Sequence, residues 1–428
     1  MNILLRNVME RLVRTGNLAI VDPGGSTHTF GDGTGPRITI AIRTQHAERA
    51  IGFDPMLAVP ETYMDGEVDV VEGDLIDLLR IAYQNMGSSG LDVAWTRALE
   101  SARSAFRRFQ QINTTVRAKR NVARHYDLSP ELYRLFLDND MQYSCAYFES
   151  PDVTLEEAQL AKKRHIAAKL DLRPGQTVLD IGCGFGGLSL YLARNFDVDV
   201  VGITLSEEQH AIATERAHAE GLDAHVHFEL RDYRDLSERF DRIVSVGMFE
   251  HVGVNHYRTF FDKCATLLKP DGVMLLHSIG RFGPPTATNA FIRKHIFPGG
   301  YIPALSEVLP SVERAGLMTG DIEILRLHYA ETLTHWRQRF LANRERIKSI
   351  YDERFCRMWE FYLVGSEAAF RWQDLMVFQI QLTRSNSVLP ITRQYMLETE
   401  KGLAEHEAAE PGHLPEKSSH SRMSEPGE

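Results

Sequence analysis

Residues 178–187 read VLDIGCGFGG: an apolar run, Val178 to Ile181, breaks into Gly182-Cys183-Gly184-Phe185-Gly186-Gly187. A short apolar run closed by glycines is the pattern of a buried parallel strand ending in a tight turn that opens a helix. Glycines let the backbone approach a ligand where a Cβ would collide. Asp180, at the strand end, can accept hydrogen bonds from a ligand amine or from the turn. Turns of this kind stand at the carboxyl edge of an α/β sheet, where nucleotide-like ligands bind. The spacing G-x-G-x-G-G departs from the dinucleotide G-x-G-x-x-G, and no Gly-Lys-Ser/Thr follows to hold phosphates. Both facts favour S-adenosylmethionine as the ligand. A lone glycine-rich turn is also compatible with a purely structural role, so the surrounding pattern decides.

That pattern is regular from about residue 155. LEEAQLAKKRHIAAKL (155–170) has helical period, and Pro174-Gly175 turns the chain into the strand QTVLDIG. The helix LSLYLARNF (188–196), the strand VDVVGITL (198–205), a helix from Ser206 to His218 and the strand HVHFELRDY (225–233) follow. FDRIVSVGM (240–248) reads as a fourth strand, YRTFFDKCATLL (257–268) as a helix, 269–272 as a turn, VMLLHSIG (273–280) as a fifth strand, and DIEILRLHY (321–329) as a late one. The alternation predicts an α/β fold, a doubly wound Rossmann-like sheet. Before it, RITIAI (37–42) alternates as a strand and DLIDLLRIAYQNM (74–86) has helical period, which predicts a smaller mixed α+β domain. The expected boundaries are 1–120 for the N-terminal domain with a basic linker helix, 121–397 for the doubly wound domain, and 398–428 for a disordered acidic tail.

The chain has 428 residues, enough for two domains, with 43% hydrophobic and 25% charged residues. Such a composition is that of a soluble globular protein. Its four cysteines show no C-x-x-C spacing, so neither a zinc site nor a disulfide framework is indicated, and a reducing cytoplasm fits. No segment reaches the ~20 apolar residues of a membrane span. The N-terminal MNILLRNVMERLVRTG reads as an amphipathic helix, packed on its own domain or lying on a membrane. The formal charge of −10 is uneven. The acidic tail contrasts with SARSAFRRFQQINTTVRAKRNVAR (101–124), which is basic throughout and suits either a solvated helix face or anionic lipid headgroups. An acidic chain without a nucleic-acid motif argues against nucleic acid as a partner.

Several motifs then occur in order: QYSCAYF (142–148), VLDIGCGFGGL (178–188), VVGITLSEEQ (200–209), RDYRDL (231–236), FDRIVSVGMFEHVG (240–253), LLHSIG (275–280) and CRMWEFYL (356–363). Together they closely resemble the cyclopropane-fatty-acyl-phospholipid synthases, a family of class I methyltransferase fold. The resemblance runs from ETYMDG (61–66) to about Arg393 and covers both domains, implying that the first binds lipid and the second is catalytic. It implies transfer of the methyl of S-adenosylmethionine to a cis double bond of a membrane phospholipid, proton loss to a bound bicarbonate, and ring closure. It further implies a bicarbonate site at Cys145, Glu250, His277, the backbone of Ile279, and Tyr329. The implied cofactor contacts are Tyr143, Ser144, Asp180, Gly182, Gly184, Gly186, Thr204, Leu205, Gln209, Asp232 and Tyr233. No metal is implied. A homodimer is implied by the resemblance alone; the N-terminal domain and the basic stretch predict reversible contact with the inner face of the membrane. Ser366 stands where many members carry a cysteine.

These residue types suit the chemistry. An alkene is a weak nucleophile, so it must be aligned with the sulfonium methyl in a dry cavity. The cation that forms must meet a base and no other nucleophile. His277 and Tyr329 can donate to bicarbonate, Glu250 can accept from its hydroxyl, and Tyr329 offers a π face. Individually, Cys145 and His277 could be core residues and Glu250 a helix-terminal carboxylate. Their places after successive strands favour the site. FIRKHIFPGGYIPALSEVLP (291–310) is either a structural loop or a lid over the acyl chain. A methyl-branched or methylene product shares the same first step, and a catalytically dead lipid-binding protein is a third reading.

Overall fold

The computed structural model describes residues 1–86 and 128–409, and in them the chain folds around two sheets. The first contains β1 (Asn17–Val21), β2 (Thr27–Phe30), β3 (Arg37–Ile42) and β4 (Val68–Glu72), in the order β2-β1-β3-β4. It is accompanied by α1 (Ile3–Leu12), α2 (Gln45–Phe53), α3 (Pro55–Met64) and α4 (Leu75–Met86). β3 and α4 match the strand and helix read from the sequence. α1 buries Leu5, Val8 and Met9, so it packs on its own domain.

The basic run 101–124 lies outside the described residues, as does 410–428. The chain re-enters at α5 (Pro130–Phe136) and α6 (Leu155–Leu170), then alternates: β5 (Thr177–Ile181), α7 (Gly187–Phe196), β6 (Asp199–Thr204), α8 (Glu207–Ala219), β7 (Val226–Leu230), β8 (Phe240–Val246), α9 (Tyr257–Leu267) and β9 (Leu268–Arg281). After α10 (Leu305–Arg314) come β10 (Met318–Leu325), α11 (His328–Ala342), α12 (Arg344–Ile350), α13 (Glu353–Trp372), β11 (Leu375–Thr383) and α14 (Gln394–Ala409). The second sheet has seven strands in the order β10-β11-β9-β8-β5-β6-β7. β9, β8, β5, β6 and β7 run parallel, and β11 is antiparallel to both neighbours. The order reverses beside β5, so the glycine turn stands at a topological switch point.

Three sequence expectations need correction. Residues 269–272 do not form a free turn. They belong to β9, and the extra residues are absorbed where the pairing shifts from Phe240 opposite Leu268 to Arg242 opposite Val273. The late strand ends at Leu325, and Tyr329 lies in the first turn of α11. The acidic tail is not disordered over 398–409: those residues form the body of α14.

The last point has an electrostatic cause. α6 has buried cations along its length, including Lys162, Arg164, His165 and Lys169. A buried charge is tolerated when paired. α14 supplies Glu407, which accepts from Arg164 NH1 at 2.5 Å, and Glu400, which meets His165 Nδ1 at 2.5 Å. The acids read as a solvated tail are therefore counter-charges for the central helix.

The N-terminal unit is joined to the catalytic one by a continuous apolar core that includes Leu5, Leu79, Trp336 and Trp359. Arg357 of α13 reinforces the seam: it donates to the carbonyl of Val68 at 2.7 Å and lies 4.1 Å over the Tyr63 ring.

Candidate active site

Two clefts meet at the carboxyl edge of the large sheet. The first is enclosed by the β5 turn, the end of β6 and the 142–144 segment. Gly182 and Gly184 line it with φ of +85° and +57°, a region that favours glycine. Gly186 does not line it. It caps α7 at φ +84°, and a Cβ there would stand 2.6 Å from Phe228 Cζ, so this third glycine is needed for helix–strand packing rather than for ligand contact.

The other expected cofactor residues, Tyr143, Ser144, Asp180, Thr204, Leu205, Gln209, Asp232 and Tyr233, all line this cleft. Asp180 is buried, which pushes its carboxyl up to about 6, and accepts from Ser189 Oγ at 2.8 Å. Thr204 Oγ1 donates to Gln209 Oε1 at 2.9 Å, which leaves the Gln209 amide nitrogen as the donor this pair can offer a ligand. Asp232 is held in a fork by Arg234, through Nε at 2.8 Å and NH2 at 2.6 Å. Lys162, not singled out in the sequence, also lines the cleft; its Nζ donates to Gln142 Oε1 at 2.5 Å and to Ser144 Oγ at 3.0 Å. It thereby fixes the segment that carries Tyr143, Ser144 and Cys145.

The second cleft is larger and mostly apolar. Its walls come from both units: Met9, Leu12 and Pro55 on one side, Phe291, Phe361 and Phe370 on the other. All five residues expected at the reaction centre, Cys145, Glu250, His277, Ile279 and Tyr329, line it, and so does Ser366. Tyr143, Ser144, Gly247 and His251 line both clefts, so the two open on each other there. His251, which no motif singles out beside Glu250, is one of these shared residues.

Glu250 follows β8 on a short 3₁₀ turn. Burial pushes its carboxyl up to about 7. Its Oε1 accepts from the Ile279 N–H at 2.6 Å, while Oε2 is buried with no hydrogen-bond partner. The Ile279 N–H thus orients the Glu250 carboxylate. Burial lowers His277 to about 3 and His251 to about 4, so both are neutral imidazoles near pH 7. The tautomer of His277 can be derived. Lys169 Nζ donates to Gln379 Oε1 at 2.6 Å, which turns the amide nitrogen of Gln379 toward His277 Nδ1 at 3.1 Å. Nδ1 is then the acceptor, and the ring proton resides on Nε2. Tyr329 stands edge-on to Trp336 at 5.7 Å and against Phe370 at 4.9 Å. Burial pushes the Cys145 thiol far up, so it is no thiolate. Among the described residues no cluster of His, Cys, Asp and Glu could hold a metal ion.

The sequence profile of the mycolic acid cyclopropane synthetase family matches residues 113–380. The chain belongs to that family. A second profile, for a domain of unknown function, matches residues 5–91. The cyclopropane-fatty-acyl-phospholipid synthase of Escherichia coli K12 is 42% identical over 330 residues, covering 77% of this chain and 83% of the relative. Tuberculostearic acid methyltransferase UfaA1 of Mycobacterium tuberculosis is 35% identical over 399 residues, 90% of each chain. The crystal structure of mycolic acid cyclopropane synthase CmaA1 complexed with SAH and CTAB superposes with a TM-score of 0.59 at 37% identity, covering 62% of this chain and 97% of that one. The protein is an S-adenosylmethionine-dependent methyltransferase of this family, with the Rossmann-like sheet that the glycine turn predicts.

Proposed function

We propose that the enzyme methylates the cis double bond of a phospholipid acyl chain and closes a cyclopropane ring. The observation that carries this reading is the junction of the two clefts: the glycine-turn cofactor cleft opens at Tyr143, Ser144, Gly247 and His251 onto a larger, mostly apolar cavity. The names of the relatives point the same way.

S-adenosylmethionine fits the first cleft, where Gly184 leaves open space that a Cβ would enter and the Gln209 amide is a ready donor. Bicarbonate fits the second. The orphaned Glu250 Oε2 calls for a donor, and the His277 Nε2–H supplies one for an acceptor, the complement of a group with one hydroxyl and two acceptor oxygens. When bound, the first supplies an electrophilic methyl and the second a proton acceptor.

The chain's residues do the rest. The apolar walls exclude water and hold the alkene against the junction. As the methyl–sulfur bond breaks and the methyl–carbon bond forms, positive charge appears on the acyl chain. The ring of Tyr329 and the ionised Glu250 lie in the cavity where that charge develops. His277 is kept neutral, so it adds no repulsion. Glu250 ionises near neutrality and takes the proton from the site, after which the ring closes. The protonated thiol of Cys145 offers no nucleophile to trap the cation.

Membrane contact is part of the proposal. Ile3 and Phe53 are 79% and 66% exposed on α1 and α2, and no helix among the described residues is long and apolar enough to span a bilayer. The test is transfer of a labelled methyl from S-adenosylmethionine into liposomes of cis-monounsaturated phospholipid, with saturated lipid as control. Label in both lipids or in neither would overturn the reading.

A further inference from the structure

The acyl cavity is lined by apolar side chains, Met9, Leu12, Met56 and Leu79 among them, and by the polar Thr286, Asn289, Gln373 and Arg281. Arg281 ends β9. His277, Ile279 and Arg281 alternate on that strand, so they share one face of the sheet, and all three line the cavity.

The state of Arg281 is unusual. Its side chain is 13% exposed, and its Nε is buried with no hydrogen-bond partner. The carboxylate recorded nearest to it among the described residues, Asp374 Oδ1, is 4.0 Å from NH2, the outer edge of an ion pair. A desolvated guanidinium N–H with no acceptor is costly unless a ligand supplies one. The planar fork of arginine matches the oxygens of a phosphate.

We infer that Arg281 receives the phosphodiester of the phospholipid substrate, and that its distance from His277 selects which double bond reacts. This rests on the proposed reaction. Four residues of strand place their Cα atoms ~13 Å apart at ~3.3 Å per residue. A lipid offers the matching length. Half of a leaflet's share of the ~30 Å hydrocarbon core is ~7 Å, and the headgroup band adds ~5–7 Å, so phosphate and mid-chain are ~13 Å apart. With phosphate at Arg281, a mid-chain double bond falls at His277 and the remaining tail enters the pocket walled by α1, α3 and α4.

The test is equilibrium binding of detergent-dispersed, monounsaturated phosphatidylglycerol and of the diacylglycerol with the same acyl chains, by the wild-type protein and by Arg281→Gln. The wild type should bind the phospholipid about 10- to 100-fold more tightly, the span expected of charge-assisted hydrogen bonds, and Arg281→Gln should erase the difference. Equal affinity of the wild type for the two lipids would overturn the inference. So would a variant that weakens both lipids alike, which marks a structural role. Inorganic phosphate is the third arm: if it binds at Arg281 and the lipid gains nothing over diacylglycerol, the site is one for free phosphate and the lipid assignment falls. The wild type also supplies a test needing no variant. Among phospholipids differing in double-bond position, turnover should peak at mid-chain, and a flat profile would contradict the ruler. Phospholipid preference without methyl transfer to any lipid would sink the proposed reaction and leave the Arg281 site standing.

Discussion

Glu250→Gln should stabilise the ligand-free protein while abolishing turnover, and the stabilisation should grow with pH. Burial holds the Glu250 carboxyl at about 7 against an ordinary value of 4.5. The folded state therefore binds a proton that the unfolded state has lost between those two values. Stability from this group is fully present below pH 4.5 and declines as pH rises toward 7. At ~1.36 kcal/mol per pKa unit the cost well above pH 7 is at most about 3–4 kcal/mol. Gln is neutral throughout and keeps a carbonyl oxygen for the Ile279 N–H. The advantage of the variant should thus widen by about 2 kcal/mol between pH 5.5 and pH 8.5. Urea unfolding of both proteins at the two pH values, without ligands, measures it. A gap that is constant with pH, or that narrows, would refute the argument that the site holds a carboxylate against its own solvation. Cofactor affinity should be unchanged, because Glu250 lines the acyl cavity and not the cofactor cleft.

Gln379→Glu tests the tautomer of His277. A carboxylate accepts from both Lys169 and the ring, which moves the imidazole proton to Nδ1 and removes the donor facing the cavity. Turnover should fall by about 10²-fold or more with cofactor binding intact, and the ¹⁵N shifts of His277 should report the exchanged tautomer; an unchanged tautomer would contradict the relay. Ending the chain at Arg393 removes α14 and with it the Glu407 and Glu400 partners of Arg164 and His165. Arg164 keeps Glu149 and His165 keeps Glu323, so the truncation weakens rather than removes their pairing; the unfolding midpoint should still drop below that of the full chain, and an unchanged midpoint would mean that α14 is dispensable.

The cofactor cleft was legible because its information is local. Gly182 and Gly184 follow a strand within a few residues, and Asp180 precedes them, so spacing alone places them at the sheet edge. Glu250 and His277 were legible because each follows a strand of the alternation. What escaped depends on contacts distant in sequence. The orientation of Gln379 against His277 arises from pairing of β9 with β11, 102 residues apart. Lys162 reads as one more surface charge in LEEAQLAKKRHIAAKL, yet α6 is buried on nearly every side. The composition of 398–409 is that of a solvated segment, and nothing local shows that its acids face the cations of α6. The end of β10 at Leu325 rather than at Tyr329 is likewise set by tertiary contacts, as the helix beginning at His328 carries Tyr329 into the cavity.

The central claim is ring closure at a site where the transferred methyl loses a proton to the bound base that Glu250 and His277 hold. The direct measurement uses S-adenosylmethionine carrying a CD₃ group and liposomes of cis-monounsaturated phospholipid, with mass spectrometry and NMR of the acyl product. The account predicts a cyclopropane that keeps two of the three deuterons, the third having been lost to the site. A methyl-branched product keeping all three, or a methylene product without a ring, would contradict it.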